Sequence, residues 1–257
     1  IIKKNDDLEF ETNLNIKKTT IKNQKIFKTN FPLTKDLIDL KDHKLNLKYK
    51  DRKLYLNGKG GIRFENKFDD IEYSLIKDKD KFNLKSEINL TNISLKNQKN
   101  LKNFFPKTKD FLYLKNHKIK MNYKNELLSF SGKGQIKIDK EFNDIDYFLS
   151  RENNETNFDF NVDLNKTDFK IENINYKKNK NLITNLNISG SLLTKGKLFL
   201  NNLSVRDKKN KIKIKNLVFD QNNLIIKLDE ADFDYIDTEN KENQYFRANN
   251  CKGRHTR

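Results

Sequence analysis

The sequence predicts an all-β protein, a long antiparallel β-meander built from repeats of about 74 residues with a short helical segment in each. Two observations carry that expectation. The chain matches itself without a gap when shifted by 74 positions, and apolar residues within each copy alternate with polar ones. Period-two alternation is the mark of strands with one wet face.

The shift superimposes Asn23-Gln24-Lys25 on Asn97-Gln98-Lys99, Phe31-Pro32 on Phe105-Pro106, and Thr34-Lys35-Asp36 on Thr108-Lys109-Asp110. His43-Lys44 then meets His117-Lys118, Tyr49-Lys50 meets Tyr123-Lys124, and Gly58-Lys59-Gly60 meets Gly132-Lys133-Gly134. From position 15 to 75 about 27 of 61 pairs are identical, more than a biased composition supplies in fixed register. After Leu75 the register slips by two, so that Phe82 and Leu84 meet Phe158 and Phe160, and Asn89 and Thr91 meet Asn165 and Thr167. Two residues inserted between Leu149 and Phe158 fit a hairpin loop, where length changes are tolerated. A third copy starts near Phe158 and diverges from Tyr176, without the Phe-Pro segment. The expected organisation is a first β-repeat unit over 1–83, incomplete at its N-terminus, a second over 84–157, a degenerate third over 158–250, and an atypical tail over 251–257.

In the first copy Leu45, Leu47 and Tyr49 alternate with polar residues, and Leu54, Leu56, Gly58, Gly60, Ile62 and Phe64 share one parity. At about 3.3 Å per residue this second run is a strand on the order of 35 Å long. The turn Glu65-Asn66-Lys67 leads to Ile71, Tyr73 and Leu75, and Lys77 to Asp80 leads to Phe82, Leu84, Ile88 and Leu90. The second copy writes Ile119, Met121 and Tyr123, then Leu128, Phe130, Ile136 and Ile138, then Ile145, Tyr147 and Leu149. Between meanders, Leu101, Phe104 and Phe105 have helix spacing, and Pro106 ends that turn. Asp110 is placed to cap a second short turn carrying Phe111, Leu112 and Leu114. Such a segment could cover a sheet edge or close over the apolar face. The last third adds Leu186 and Ile188, Leu198 and Leu200, Ile212 and Ile214, and Leu224, Ile226 and Leu228, with Asn222-Asn223 as a tight turn.

Composition narrows the function classes. The 257 residues carry 53 Lys+Arg against 36 Asp+Glu, a net charge of +17. Hydrophobic residues are 35%, below the usual range of about 45–50%. Most of the positive charge is lysine interleaved with acids along the whole chain, so a solvated face is the better reading and no nucleic-acid partner is expected. No apolar run approaches the roughly 18 residues of a membrane span. The chain starts at Ile1 without a leader pattern and reads as an interior fragment of something longer. The single cysteine, Cys251, excludes an intrachain disulfide framework, and with His43, His117 and His255 it makes no zinc-site spacing. The segment 251–257 holds that cysteine, one of the histidines and two arginines, which suggests a disordered tail or a terminus foreign to the domain.

No motif predicts catalysis. The Gly-Lys-Gly triplets lack phosphate-loop spacing and sit mid-strand, as bulge or bend glycines do. His43 and His117 have no nucleophile beside them, and Asp69-Asp70 and Asp229-Glu230 read as solvated turn charges. The expectation is a protein that is not an enzyme, with no catalytic residue, no cofactor and no metal. The alternating Phe, Tyr, Ile and Leu set is either an ordinary core or the lining of an apolar groove.

Strands such as Leu54 to Phe64 and Leu128 to Ile138, the Gly-x-Gly insertions and the later hairpins to Tyr235 make residues 11 to 236 resemble the AsmA-like superfamily of bacterial envelope proteins, in particular its YhdP-type and TamB-type members. The resemblance implies a periplasmic protein, anchored to the inner membrane by a segment not present here, whose twisted sheet forms a hydrophobic groove for phospholipid transfer to the outer membrane. It implies phospholipid acyl chains as partner. The lining expected is Leu54, Leu56, Ile62, Phe64, Ile71, Tyr73 and Leu75, with Leu128, Phe130, Ile136, Ile138, Ile145, Tyr147 and Leu149 from the second copy. The alternative is a structural or adhesive β-repeat protein whose apolar core is closed.

Overall fold

The structure, a computed structural model, describes residues 2–4, 7–97, 99–165, 167–179, 182–194, 196–222, 224–236, 242–244 and 251–252. Among the described residues it is all-β and antiparallel, 71% strand and 5% helix, and its sheet is not closed. The chain divides into two compact units, Ile1–Lys96 with Tyr113–Gly134, and Asn97–Leu112 with Gln135–Arg257. The division falls inside the copy expected at 84–157.

The first unit opens with β1 (Ile2–Lys4) and β2 (Asp7–Lys22), followed by the one-turn helix α1 (Lys25–Asn30). Then come β3 (Leu37–Lys50), β4 (Lys53–Arg63), β5 (Asp69–Asp78) and β6 (Lys81–Lys96), each paired antiparallel with the strand before it; β2 pairs with β3 across α1. Most of β7 (Phe111–Lys124) and β8 (Leu127–Lys137) belong here too. The turns Asp51-Arg52 and Asn125-Glu126 hold both residues at positive φ, the mirror-image geometry that matches strand twist in two-residue hairpins.

The second unit contains the 3-10 turn Lys99–Asn103, then β9 (Phe142–Glu152) and β10 (Glu155–Leu164). A small hairpin of β11 (Lys170–Ile171) and β12 (Tyr176–Lys177) follows, then β13 (Thr184–Leu193), β14 (Leu198–Arg206) and β15 (Lys211–Phe219). The chain ends in the short strands β16 (Ile225–Leu228), β17 (Glu230–Ile236), β18 (Glu242–Gln244) and β19 (Cys251–Lys252). Here β9, β10, β13, β14 and β15 pair in succession, and β15 pairs with both β16 and β17. The core includes Leu164, Val205 and Ile212, all fully buried, and the nearly fully buried Tyr176 and Phe169.

Three expectations need correction. Residues 111–114 are strand and not a second helical turn, because the Asp110 carbonyl accepts the Asn97 N–H at 2.9 Å and delivers the chain directly into β7. The repeat does not slip after Leu75. Asp78 faces Lys81 and Glu152 faces Glu155, so both hairpins have two-residue turns, 74 positions apart. Phe158 therefore takes the place of Leu84; a shift of two keeps every side chain on its own face, which is why identity alone mistook 76 for 74. Finally, Cys251 and Lys252 are not a loose tail but pair with Leu228 and Lys227. Residues 253–257 lie outside the described residues. So does Asn223 of the expected turn, while Asn222 donates its backbone N–H to Asp220 at 2.8 Å.

Candidate functional site

The candidate site is the apolar face of the meander, and paired residues fix which side chains share it. In the first unit one row runs Leu47, Leu56, Leu75 and Leu84 across four strands, and another runs Tyr49, Leu54, Lys77 and Phe82. Tyr123 stacks on Phe82 with ring centroids 4.6 Å apart and extends that second row to β7. Nearer the other end of the strands, Leu40 faces Ile62 and Ile71 faces Ile88.

The two ends of this face differ in cover. At one end Ile38, Ile62, Phe64, Leu90 and Ile93 form a buried cluster, each no more than 9% exposed, with Phe27 and Phe31 from the helical segment packed on it. Phe27 lies 5.3 Å from Phe64 by ring centroid and stacks on Phe31 at 4.6 Å. At the hairpin end Leu47, Leu54, Leu56, Leu75 and Leu84 are only half-buried, and Phe82 is 41% exposed.

The cover is held by a clasp built from the repeated Asn-Gln-Lys, Phe-Pro and Thr-Lys-Asp segments. Asn23 donates from Nδ2 to Thr34 Oγ1 at 2.9 Å and to the Lys35 carbonyl at 2.8 Å, and its backbone N–H goes to Asp36. Thr34 donates its N–H to the Phe31 carbonyl across Pro32, a β-turn with proline at its preferred second position. Lys35 N–H reaches the Phe64 carbonyl at 2.9 Å and ties the segment to the sheet. The second copy repeats the device: Asn97 Nδ2 donates to the Lys109 carbonyl, and Thr108 Oγ1 to the Phe105 carbonyl. Phe105 is buried against Phe169. Of the expected helix, Gln98 lies outside the described residues.

Of the fourteen expected lining residues, Ile62, Phe64, Ile136, Ile138 and Ile145 are buried and belong to closed core. Leu54, Leu56, Ile71, Tyr73, Leu75, Leu128, Phe130, Tyr147 and Leu149 are half-buried. A cavity of about 1010 Å³ in the first unit is lined by a different set, including Asn13, Asn57, Lys59, Glu72 and Lys120. These have the parity of the polar face, and of the fourteen only Tyr73 borders the cavity.

Sequence reasoning missed two features of this face. Lys77 in the first unit and Arg151, its counterpart 74 positions on in the second, each have the apolar parity of their own hairpin: Lys77 faces Leu54 and Phe82, and Arg151 faces Thr156. The histidines are structural. His43 and His117 are buried, follow left-handed Asp42 (φ 51°) and Asn116 (φ 52°), and lay their rings where Gly60 and Gly134 have no side chain. His43 donates from Nε2 to the Gly61 carbonyl at 3.0 Å.

Burial raises the pKa of the Tyr73 phenol and pushes that of Tyr147 up to about 12. The folded value lies above the ordinary 10.0, so the neutral phenol stabilises the fold fully below pH 10 and that contribution is lost as pH rises toward 12. An ultraviolet phenolate titration is expected to contain a step near pH 12 that Tyr147→Phe removes. If the step removed instead lies near 10, this part of the apolar face is wet.

No protein-family model, curated protein or solved structure matches the chain.

Proposed function

We propose that the chain is a non-enzymatic, lipid-handling β-repeat segment whose open apolar stripe carries phospholipid acyl chains, as the resemblance to AsmA-like envelope proteins implies. The observation that supports this reading is the uneven cover of the face. The clasp closes one end, while Leu47, Leu54, Leu56, Leu75, Leu84 and Phe82 stay partly open to solvent at the other. A soluble chain rarely leaves so continuous an apolar row uncovered without a ligand or partner for it. Each methylene laid on it contributes about 0.8 kcal/mol, so a chain of several methylenes is held firmly yet without directional contacts that would stop it sliding. Lys77 sits at the hairpin end of the first unit's stripe, where a phosphate headgroup would emerge, and Arg151 takes the equivalent place in the second unit; a cation at either place offsets the headgroup charge. In this reading the setting is the bacterial periplasm, with membrane attachment through other segments.

The test is native mass spectrometry of the chain after expression in a bacterial envelope. Co-purified phospholipid is expected in the wild type and is lost in Phe82→Asp, a change at an exposed position that spares the buried cluster. A lipid-free, monodisperse and stable wild type overturns the proposal and leaves the structural or adhesive reading.

A further inference from the structure

The first strand of each repeat copy meets the sheet in the same way, with one exception. Strands β6 and β10, which begin the second and third copies, each receive an antiparallel neighbour, respectively β5 and β9, and β17 near the end of the third unit receives β15 in a similar way. At each of these joints a buried Asp or Asn at or just before the start of the neighbour accepts a backbone N–H with its side-chain oxygen. Asp69 Oδ1 takes the Thr91 N–H at 2.7 Å, Asn143 Oδ1 takes that of Asn165 at 2.9 Å, and Asn210 Oδ1 takes that of Ile236 at 3.0 Å. In every case the acceptor residue stands one place beyond the strand's facing register. The three carriers are 4%, 0% and 8% exposed.

By the 74-residue shift β2 is the same kind of strand as β6 and β10. Among the described residues its only neighbour on that side is β1, which faces Asp7 to Glu9 and leaves Phe10 to Lys22 open. The consequence is visible in burial. Leu14 is 47% exposed, whereas its counterpart Val162 is 8% exposed; Ile21 is 46% exposed, whereas its counterpart Phe169 is 3% exposed. β1 itself keeps the joint's register: Ile2 faces Glu9 as Ile76 faces Asn83.

We propose that the open edge of β2 is a docking site for an antiparallel strand of the β5 pattern, supplied by another repeat unit of this kind and lying in line with β1. The strand is defined by its chemistry. It begins with an Asp or Asn that accepts the Lys17 N–H, the counterpart of Thr91, and continues with alternating apolar residues that face Leu14, Thr12 and Phe10. Main-chain hydrogen bonds supply affinity, and the Asx oxygen with the apolar row supplies register, as in other strand additions. An exposed edge of this length and apolar content otherwise invites unspecific pairing.

The experiment uses the full chain and a labelled synthetic peptide of residues 66–75, read by fluorescence anisotropy, with hydrogen exchange of the β2 amides. Binding with protection of residues 10–20 is expected. The peptide carrying Asp69→Ala is expected to bind about tenfold more weakly, the usual loss for one charge-assisted hydrogen bond. Lys17→Pro in the chain removes the donor on the open side and is expected to weaken the wild-type peptide by a similar factor of about ten, with circular dichroism unchanged. Since Lys17→Pro could disturb β2 itself, the Asp69→Ala peptide against unaltered protein is the independent arm. The proposal is overturned if a scrambled peptide binds as well, if the peptide does not bind, or if the edge is held by a second copy of the chain in a dimer that the peptide fails to dissociate.

Discussion

Gly60→Ala and Gly134→Ala are each expected to destabilise the protein by about 3 kcal/mol, the upper part of the range for overpacking. A Cβ on Gly60 would stand 2.5 Å from the His43 ring and 2.8 Å from the His43 Cα. One on Gly134 would stand 2.5 Å from the His117 ring and 2.9 Å from the Asn116 carbonyl oxygen. In both copies part of the obstruction is backbone, held by a left-handed residue just before the histidine, so the neighbour cannot swing aside. Gly58 is a useful contrast. The atoms its Cβ would meet first are the outer ones of the Tyr73 ring, and a side-chain end can move, so Gly58→Ala is expected to cost less. Urea unfolding midpoints of the three variants check this. Equal midpoints for Gly58→Ala and Gly60→Ala would mean that the histidine backbone yields as readily as a tyrosine ring.

The same histidines explain what the sequence hides. In β3 the apolar residues Ile38 and Leu40 have even numbers, while His43, Leu45, Leu47 and Tyr49 have odd ones, and all share one face. The bulge between Lys41 and Lys44 inserts the residue that switches parity. In β7, Leu112 and Leu114 precede the switch at Asn116 and Ile119 follows it, so an alternation count finds a strand only after the bulge and leaves 111–114 looking like a helical turn. β2 breaks in the same way near Lys17, since Ile16 faces His43 and Lys18 faces Lys41. Strands without such a bulge, β4 and β5 among them, are legible because parity and burial coincide along their length. The triplets around Phe31-Pro32 were visible as repeats, yet their role as a clasp was not, because it depends on Asn23 reaching across eleven residues to Thr34. For the stripe, residue type identifies the face but not its cover. Ile62 and Leu54 lie on one strand at one parity, and only the position of Phe27 and Phe31 separates a buried residue from an open one.

That difference in cover carries the other large expected effect. Ile62→Ala and Leu90→Ala remove methyl groups from the clasped cluster, where surrounding rings cannot collapse into the space, and are expected to cost about 3 kcal/mol each. Leu54→Ala and Leu84→Ala remove groups that already border solvent, and about 1 kcal/mol each is expected from the smaller area returned to water. Denaturant unfolding of the four variants distinguishes an open stripe from a closed core, for which all four would cost alike. Lipid then sharpens the comparison. A ligand that binds only the folded state raises its apparent stability, so phospholipid is expected to shift the unfolding midpoint of the wild type upward. Ile62→Ala should lower the midpoint yet keep that shift, because the cluster under Phe27 and Phe31 is out of a ligand's reach. Leu54→Ala should barely move the midpoint in the absence of lipid but lose part of the shift. The opposite pairing, with the lipid response residing in Ile62 and not in Leu54, would place the acyl chain under the clasp and require the helical segment to open.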